Sequence, residues 1–324
     1  MATLNSSDRL TAAEVTKRSG VSEDSRRILE ELAKTNQMLL DAPIVEANDG
    51  TVHTHLVRTA LPTPTRRVYN QGVGSSASQT KTIHDVMTQI AIYSKVDADL
   101  IKKAAHPQEL LMSENAAFIQ AMGLQQAEDI FYGNHDVDRA NMDGFAKRRA
   151  SLDELCISAG GTGSALTSIY LVKWGQNFCK YIYPRGSSGL GVNRTDKGIQ
   201  TITAPTGSGE MEAYVNYYTA DYGLTVGMEK SLIRICNIDL TASDIGTTVI
   251  KAILKAKSKL APGDGTVSIL CNSDVMSLFD IATLDKSNVV YTAEDPWGRE
   301  VNKIRDMRLR QCDALLNTES QVTA

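Results

Sequence analysis

The chain has 324 residues, a formal net charge of −4 and a hydrophobic content of 42%. This length suggests about two domains and allows a large core without disulfide or metal staples. The small negative charge argues against a protein whose main task is to coat nucleic acid. No apolar run approaches the roughly 20 residues of a membrane-spanning helix, and the N-terminus lacks the pattern of a secretion signal, so we expect neither property.

The five cysteines are odd in number, widely spaced and mostly placed inside apolar runs. None of them forms a C-x-x-C pair. This pattern favours buried free thiols in a reducing compartment over disulfides or a zinc site.

The first 50 residues are polar, and their pattern predicts helix. Ser22 is a suitable cap for a helix that runs to about Leu40. Residues 10–32 also resemble the helix-turn-helix of bacterial repressors, in which side chains at the start of the second helix read bases. Here those positions include Glu23 and Asp24, whose charges oppose a polyanion, so a surface helix is the favoured interpretation.

An acid-free segment extends from Thr51 to His84. It carries a formal charge of +4, from Arg58, Arg66, Arg67 and Lys81. Few of its residues are apolar, so the segment cannot bury a core of its own. Pro62 and Pro64 exclude it from a central strand, and its Gly/Ser-rich tip predicts a turn between two legs of a long hairpin. We expect this arm to lie on another copy of the chain.

The strongest helix pattern runs from Pro107 to Tyr132, with Pro107 at the first helical position and Gly133 at a left-handed C-terminal cap. Its apolar residues form a narrow stripe, namely Leu110, Ala117, Ala121, Leu124 and Phe131. The surrounding region, from Asp85 to Phe145, contains ten acids and four bases. Its formal charge is therefore opposite in sign to that of the arm.

From Ser168 onward the chain is rich in strand patterns, in the runs SIYLVKW, FCKYIYP, IQTITAP, EAYVNYYT and SLIRICNID. A second helix is predicted from about Ala242 to Leu260, with Ile245, Val249, Ile253 and Leu260 on one face. The overall class is therefore mixed α+β.

Two elements are predicted after this helix. The run VSILCN indicates a strand, and a shorter helix follows from Asp274 to about Leu284. Near the C-terminus, Met307 and Leu309 alternate with arginines, which is typical of a half-buried strand.

Three motifs suggest chemistry only weakly. His53 and His55 lie near Asp49, but a zinc site needs about three or four ligands. The acidic loop at 136–143 departs from the spacing of a calcium loop. Residues 160–164 have the composition of a phosphate loop, but they lack a Lys and lead into a strand. The sequence thus predicts no catalytic residue, no metal ligand and no cofactor site.

The order of several segments resembles the major capsid protein of tailed bacteriophages, whose fold was first described for the Hong Kong phage. The segments are RTALPTPTRRVYNQGV in the arm, IYSKVDADL before the long helix, SENAAFIQAMG on it, FYGN at its end, and then GGTGS, SIYLVKWG, RICNID and RQCDALLNTES. The similarity extends from about Asn36 to Thr318. No single motif is diagnostic, and the ordered series carries the resemblance.

The resemblance implies an α+β, Hong Kong phage-type capsid fold. Its parts would be an N-terminal arm at 1–50, an extended β-hairpin loop at 51–84, a peripheral domain at 85–235 completed by 300–324, and an axial domain at 236–299. The helix at 107–132 would be the spine of the peripheral domain, which also holds a long β-sheet. The extended loop would lie across a neighbouring subunit.

The function that this resemblance implies is structural and not enzymatic. The chain would self-assemble through hexamers and pentamers into the icosahedral head that encloses phage double-stranded DNA. Its location would be the virion, after assembly in the host bacterial cytoplasm. Its partners would be its own copies, a portal, scaffolding or decoration proteins, and packaged DNA contacted non-specifically, with no membrane and no cofactor.

The opposite charges of the arm and the helix region predict a subunit interface. Its candidate residues are Arg58, Arg66, Arg67 and Lys81 on the arm, and Glu109, Glu114, Glu128 and Asp129 on the helix. One exposed ion pair contributes only about 0–1 kcal/mol, so repetition of the contact matters more than any single pair. Two alternatives stay open: a DNA-binding regulator with an N-terminal helix-turn-helix, and an enzyme whose active site is assembled from distant residues.

Overall fold

The computed structural model describes residues 36–103, 105–187, 191–203, 209–242, 245–284, 293–294, 300–301 and 303–323. The possible helix-turn-helix and most of the helix predicted from Ser22 lie outside these residues. At its end, Gln37–Leu40 form a short 3-10 helix.

The α-helices within the described ranges are α1 (Ala98–Lys103), α2 (Pro107–Tyr132), α3 (Phe145–Arg148), α4 (Ile245–Lys259) and α5 (Ser273–Leu284). The strands are β1 (Ile44–Glu46), β2 (Val52–Ala60), β3 (Gln79–Val86), β4 (Thr88–Asp97), β5 (Cys156–Ser158), β6 (Thr167–Trp174), β7 (Cys179–Tyr183), β8 (Val192–Thr203), β9 (Glu210–Val226), β10 (Leu232–Ile238), β11 (Thr266–Cys271), β12 (Ala293–Glu294), β13 (Glu300–Val301), β14 (Lys303–Ile304) and β15 (Met307–Gln311). Glu229–Ser231 form a second 3-10 turn.

Strand β6 lies at the centre of the sheet that organises the body. β10 and β11 pair antiparallel with its two edges. β5 runs parallel to β10, and β15 runs parallel to β11. The short β14 completes this side by pairing with β15.

A long antiparallel ribbon extends from the same sheet. The 17-residue β9 pairs with β4 on one edge and with β8 on the other. The last residues of β9 pair with β7, which also pairs in parallel with β1. Because β9 takes part in both regions, the ribbon and the body share one continuous sheet.

The two faces of β6 supply two hydrophobic cores. Tyr170, Val172 and Trp174 belong to one core, together with Phe131 of α2 and Phe145 of α3. In it, the ring centroid of Tyr170 lies 5.6 Å from each of the two phenylalanine rings. Alternate residues of β6 face the other core, whose remaining members come largely from β10, β11, β15 and the buried side of α4.

Most predicted elements are confirmed. The long helix has the predicted bounds, and α4 begins and ends within a few residues of the prediction. Each predicted strand run coincides with one of β6 to β11. On β15, Met307 and Leu309 are buried, while Arg308 and Arg310, which alternate with them, are half-buried. All five cysteines are buried and free, as their pattern predicts.

The predicted apolar stripe on α2 is wrong in its direction. Phe131 is fully buried, but Leu124 is 53% exposed, and Ala117 and Ala121 are also exposed. The buried face instead includes Met122 and Ile130 and packs towards β4 and β9. Apolar residues occur on several faces of this helix, so periodicity alone does not select the face that meets the sheet.

Gly133 ends α2, but not in the left-handed conformation that we predicted. Its φ is −51°, which any residue can adopt. A Cβ atom at this position would instead lie 2.4 Å from the carbonyl oxygen of Asp129 and 2.6 Å from that of Met142. The close approach of two backbone segments therefore explains the glycine.

The predicted division into a peripheral and an axial domain stays a prediction, and one sheet extends across its boundary. The boundary between residues 235 and 236 falls inside β10, which pairs with β6 along most of its length. The C-terminal strand β15 pairs with β11 and not with the long ribbon. Strands from both predicted domains thus form one sheet, because β6 bonds to β10 on one side and to β11 on the other.

Phe131 and Leu124 belong to the same predicted stripe but differ strongly in burial, so truncating each of them tests the packing of α2. Phe131→Ala should lower the free energy of unfolding by about 3–5 kcal/mol, since it removes a fully buried ring. Leu124→Ala, a matched truncation on the exposed side, should change it by less than about 0.5 kcal/mol. Denaturant unfolding of the unassembled subunit measures both values, and equal effects would contradict the observed orientation of α2.

Candidate assembly surface

The arm is a hairpin that projects from the body. Strands β2 and β3 pair antiparallel from Val52 opposite Val86 to Ala60 opposite Gln79. Beyond the paired strands the two legs stay adjacent, because the Ser76 hydroxyl donates to the carbonyl oxygen of Thr63 at 3.1 Å. Every residue from 61 to 82 is exposed. The subunit therefore leaves the outer half of the arm uncovered.

The root of the arm is fixed to the body by a buried ion pair. Arg148 of α3 donates from Nη2 to Asp85 Oδ1 at 2.8 Å and to the carbonyl oxygen of Leu224 at 3.0 Å. His55 Nδ1 lies 3.4 Å from the other carboxylate oxygen of Asp85. The direction in which the arm leaves the body is thus set by contacts to α3 and β9.

His53 is also part of the root, and its side chain is buried. Its Nδ1 accepts a hydrogen bond from the backbone N–H of Asn48 at 3.3 Å. The pKa of His53 lies below its usual value, because burial disfavours the charged ring and the positive charges of Lys180 and His55 are nearby. A mostly neutral ring at neutral pH fits this enclosed position.

The four predicted basic residues of the arm are all exposed. They are Arg58, Arg66, Arg67 and Lys81. None of them forms an ion pair with another residue in the described ranges. Their charges are therefore accessible to a second molecule.

The predicted acidic residues of α2 do not share one environment. Glu109, Glu114 and Glu128 are exposed. Glu114 and Glu128 are 14 residues apart, about four helical turns, so they lie on nearly the same face of α2. Glu109 lies about 140° around the helix axis from Glu114 at roughly 100° per residue.

The prediction that Asp129 belongs to the subunit interface is wrong. Its side chain is buried, and its carboxylate accepts hydrogen bonds from Tyr222 Oη at 2.6 Å, Asn141 Nδ2 at 3.0 Å and Gln125 Nε2 at 3.1 Å. Burial, together with the charge of Asp129, raises the pKa of Tyr222. This carboxylate joins α2 to β9 within the subunit, so we exclude it from the surface set.

Another buried carboxylate, which sequence reasoning missed, fixes the chain ahead of β1. Asp41 accepts hydrogen bonds from Arg310 Nε at 2.7 Å and Nη2 at 2.8 Å, from Arg308 Nη1 at 2.7 Å and from Ser268 Oγ at 2.8 Å. Burial alone would raise the pKa of Asp41, but the hydrogen bonds and positive charges of the two arginines outweigh it and hold the pKa below its usual value. The only sequence signal was the alternation of arginines on β15.

Glu319 forms a third polar cluster and holds the C-terminal segment on the body. Its carboxylate accepts hydrogen bonds from Tyr132 Oη at 2.6 Å, from Arg234 Nη2 at 3.0 Å and from the Ser168 hydroxyl. The backbone N–H of Leu316 donates to Tyr132 Oη at 3.0 Å. Burial and the neighbouring carboxylate raise the pKa of Tyr132. This cluster connects the end of α2, the central strand β6 and the C-terminal segment.

The acidic loop that departs from calcium-loop spacing forms ion pairs and hydrogen bonds within the subunit. In the acidic loop, Lys147 Nζ lies 2.6 Å from Asp136 and 2.8 Å from Asp143, and the backbone N–H of His135 donates to Asp143. Across the described ranges, no group of three or more His, Cys, Asp or Glu residues is arranged to hold a metal ion. Nor does any helix in that part of the chain combine the length and apolar character needed to cross a membrane.

The arm leaves a large exposed surface that a second molecule can cover, and it projects from a mixed α+β body. The chain belongs to the family described as major capsid protein GP7, whose model matches residues 21–323. This membership confirms the resemblance, the fold class and the shell-forming role that the sequence predicts. The alternative of a DNA-binding regulator receives no support from it.

The solved structure of one phage agrees with the family. A chain in the near-atomic structure of bacteriophage Epsilon15 is similar over 100% of both chains, with 27% sequence identity and a TM-score of 0.67. A chain of the bacteriophage JBD30 capsid matches over 91% of both chains, with 9% identity and a TM-score of 0.49. No curated protein matches the sequence. The protein is thus a structural component of a virion and assembles into a multimeric shell of hexamers and pentamers.

The Asp41 cluster predicts how the stability of the subunit depends on pH. Asp41→Asn should lower the free energy of unfolding by about 3 kcal/mol at pH 7, since two arginines lose their buried counter-charge. Because the folded pKa of Asp41 is below the unfolded value of about 3.9, its stabilisation is complete above that value and is lost as the pH falls through the folded pKa. The difference between variant and wild type should therefore shrink in acid.

Denaturant unfolding from pH 7 down to pH 3 measures this difference. The control is Asp264→Asn, which neutralises an exposed carboxylate and should leave the curve within about 0.5 kcal/mol of wild type. An Asp41→Asn subunit as stable as wild type at pH 7 would show that the cluster does not stabilise the fold.

Proposed function

We propose that the hairpin arm, residues 51–84, is the element that joins neighbouring subunits of the shell. The observation that carries this proposal is the exposure of large apolar side chains near its end: Leu61 at 73%, Val68 at 71%, Tyr69 at 93% and Val73 at 55%. A soluble subunit gains nothing by leaving such a group in water, whereas exposed apolar groups of this kind mark interaction sites. Burial against a second copy would remove them from water.

The construction of the arm supports the same proposal. A two-stranded hairpin is marginally stable by itself in water, and β2 and β3 pair only with each other in the described part of the chain. Their outer edges carry backbone groups that can bond to another molecule. A neighbouring subunit that receives the arm would therefore stabilise the hairpin as well as the contact.

Charge supports a specific register for the docked arm. The arm has a formal charge of +4, and the exposed acids on α2 are Glu109, Glu114 and Glu128. Complementary charges steer the approach and suppress wrong alignments more than they add affinity. Glu114 and Glu128 share one face of α2, so they are the better pair of receptors for two basic residues of one arm.

The proposal extends to the finished particle. The shell would be an icosahedral head around phage double-stranded DNA, with a portal and scaffolding or decoration proteins as partners, formed in the cytoplasm of the host bacterium. Contacts to DNA would be non-specific and weak, because a subunit with a net charge of −4 gives little general attraction to phosphates. The role requires no catalytic residue and no cofactor.

A triple charge reversal tests arm docking. Arg58→Glu, Arg66→Glu and Arg67→Glu together should leave the subunit folded, since all three side chains are exposed, but should block particle formation. Circular dichroism and thermal unfolding report the fold, and electron microscopy with sedimentation reports particles. Normal particles from this variant would count heavily against docking of the basic arm.

A compensating change sharpens the test. Glu114→Arg and Glu128→Arg, added to the triple reversal in the same chain, should restore a substantial fraction of the particles, because the arm and this face of α2 again carry opposite charges. The acidic-side reversal alone should assemble poorly. If the arm reversal blocks assembly and the combined variant does not recover it, the arm docks somewhere other than on α2.

A further inference from the structure

An open groove of about 830 Å³ lies beside the root of the arm. The arm forms one wall and two loops of the body form the other. The residues that line the groove include Leu56, Arg58, Met228, Glu229, Lys230 and Pro262. Leu56 is 69% exposed and Met228 is 45% exposed, so two large apolar side chains of one groove lie open to solvent.

The end of the arm carries exposed apolar side chains that could fill this groove. Val68 to Gln71 form a tight turn, in which the backbone N–H of Gln71 donates to the carbonyl oxygen of Val68 at 3.2 Å. Asn70 adopts a φ of 65°, a conformation that Asn tolerates better than most residues. Tyr69 precedes it in the turn and is 93% exposed, so its ring projects from the outermost part of the arm.

The turn is also preorganised for binding. Pro62 and Pro64 restrict the leg that leads to it, and the Ser76 hydroxyl bonds that leg to the returning one. A group that is already held in its bound conformation loses little entropy on binding. Tyrosines are enriched among the residues that dominate interfaces, since they bury much area with few rotatable bonds.

A subunit cannot fill its own groove with this turn. The groove is lined by the arm where it leaves the body, and the two legs stay together from there towards Thr63 and Ser76. The turn at 68–71 is therefore carried away from the groove by the arm itself. Only another copy can supply it.

We infer that Tyr69, with Val68 beside it, inserts into the groove between Leu56 and Met228 of a second copy. This inference rests on the proposed function, and it adds the position at which the arm ends. A tyrosine buries about 150–250 Å² when covered, an area that a groove of this size accommodates. The apolar side chains of both partners would then leave water together.

Charges at the rim would orient the turn. Glu229 is exposed on the groove, next to Lys230 and across from Arg58. Because the arm carries a formal charge of +4, its turn would enter on the side of Glu229 and away from the two cations. Since the rim holds both signs, its charges would select one orientation and add little net attraction.

The contact has a consequence for assembly. The turn and the groove are different surfaces, so each subunit offers one and receives one. Contacts of this heterologous kind close into rings when the rotation between copies allows it. The proposed contact would therefore link successive copies head to tail around a ring.

Photocrosslinking from the turn tests the inference directly. Subunits with p-benzoylphenylalanine in place of Tyr69 are mixed at a low fraction with wild type, so that particles still form, then irradiated and analysed by peptide mass spectrometry. We expect crosslinks between chains to residues 56–59, 227–230 or 261–262. Crosslinks between chains to α2 would overturn the groove contact and leave arm docking intact. Crosslinks confined to one chain would overturn both.

A double-mutant cycle provides a second, energetic test. Tyr69→Ala should raise the subunit concentration needed for assembly about tenfold or more, and Met228→Ala by a smaller factor. The double variant should be little worse than Tyr69→Ala alone, because residues in contact are not additive. Val137→Ala, an 83% exposed control elsewhere, should have no effect. Full additivity of Tyr69 and Met228 would overturn the contact.

Discussion

Strand β6 is the constraint on which the rest of the body depends. All eight of its residues are buried, and both its edges are bonded, to β10 and β11. Its alternating side chains enter two different cores, so neither core can form without it. Unfolding of one part of the body therefore exposes the other, and we expect the body to act as one cooperative unit in spite of its mixed topology.

The one cation of β6, Lys173, connects the central strand to the loop after α4. Lys173 is buried, and its Nζ donates to the carbonyl oxygens of Ala261 at 2.6 Å and Gly263 at 2.7 Å. The loop that carries these carbonyls follows α4 and contributes to the groove beside the arm. The central strand thus fixes a wall of that groove. The wall that the proposed contact would use is therefore hydrogen-bonded directly to the core strand behind it.

Features that depend on neighbouring residues, such as the position of a helix, could be predicted from the sequence. Features that depend on contacts between distant segments, such as which side chains of α2 are buried, could not. The start of α2 at Pro107 follows from the preference of proline for the first helical position, and the buried face of α4 follows from periodicity; both are confirmed. The buried face of α2 depends on where β4 and β9 lie, so its stripe was misjudged. Asp129 was taken for a surface acid for the same reason. Asp41 and Arg310 are separated by 269 positions, and no local signal relates them.

The separation of a rigid body from an uncovered arm explains why the arm combines charge with an apolar end. Its arginines act over about 10 Å at 0.1 M salt, far enough to align an approaching copy before contact. Apolar contact acts only after water is expelled, and it then resists dissociation. Because the root is held by Arg148 and Asp85, alignment of the legs also places the turn. In the proposed assembly, many such contacts, each weak enough to release a misplaced subunit, would together be strong enough to hold a shell.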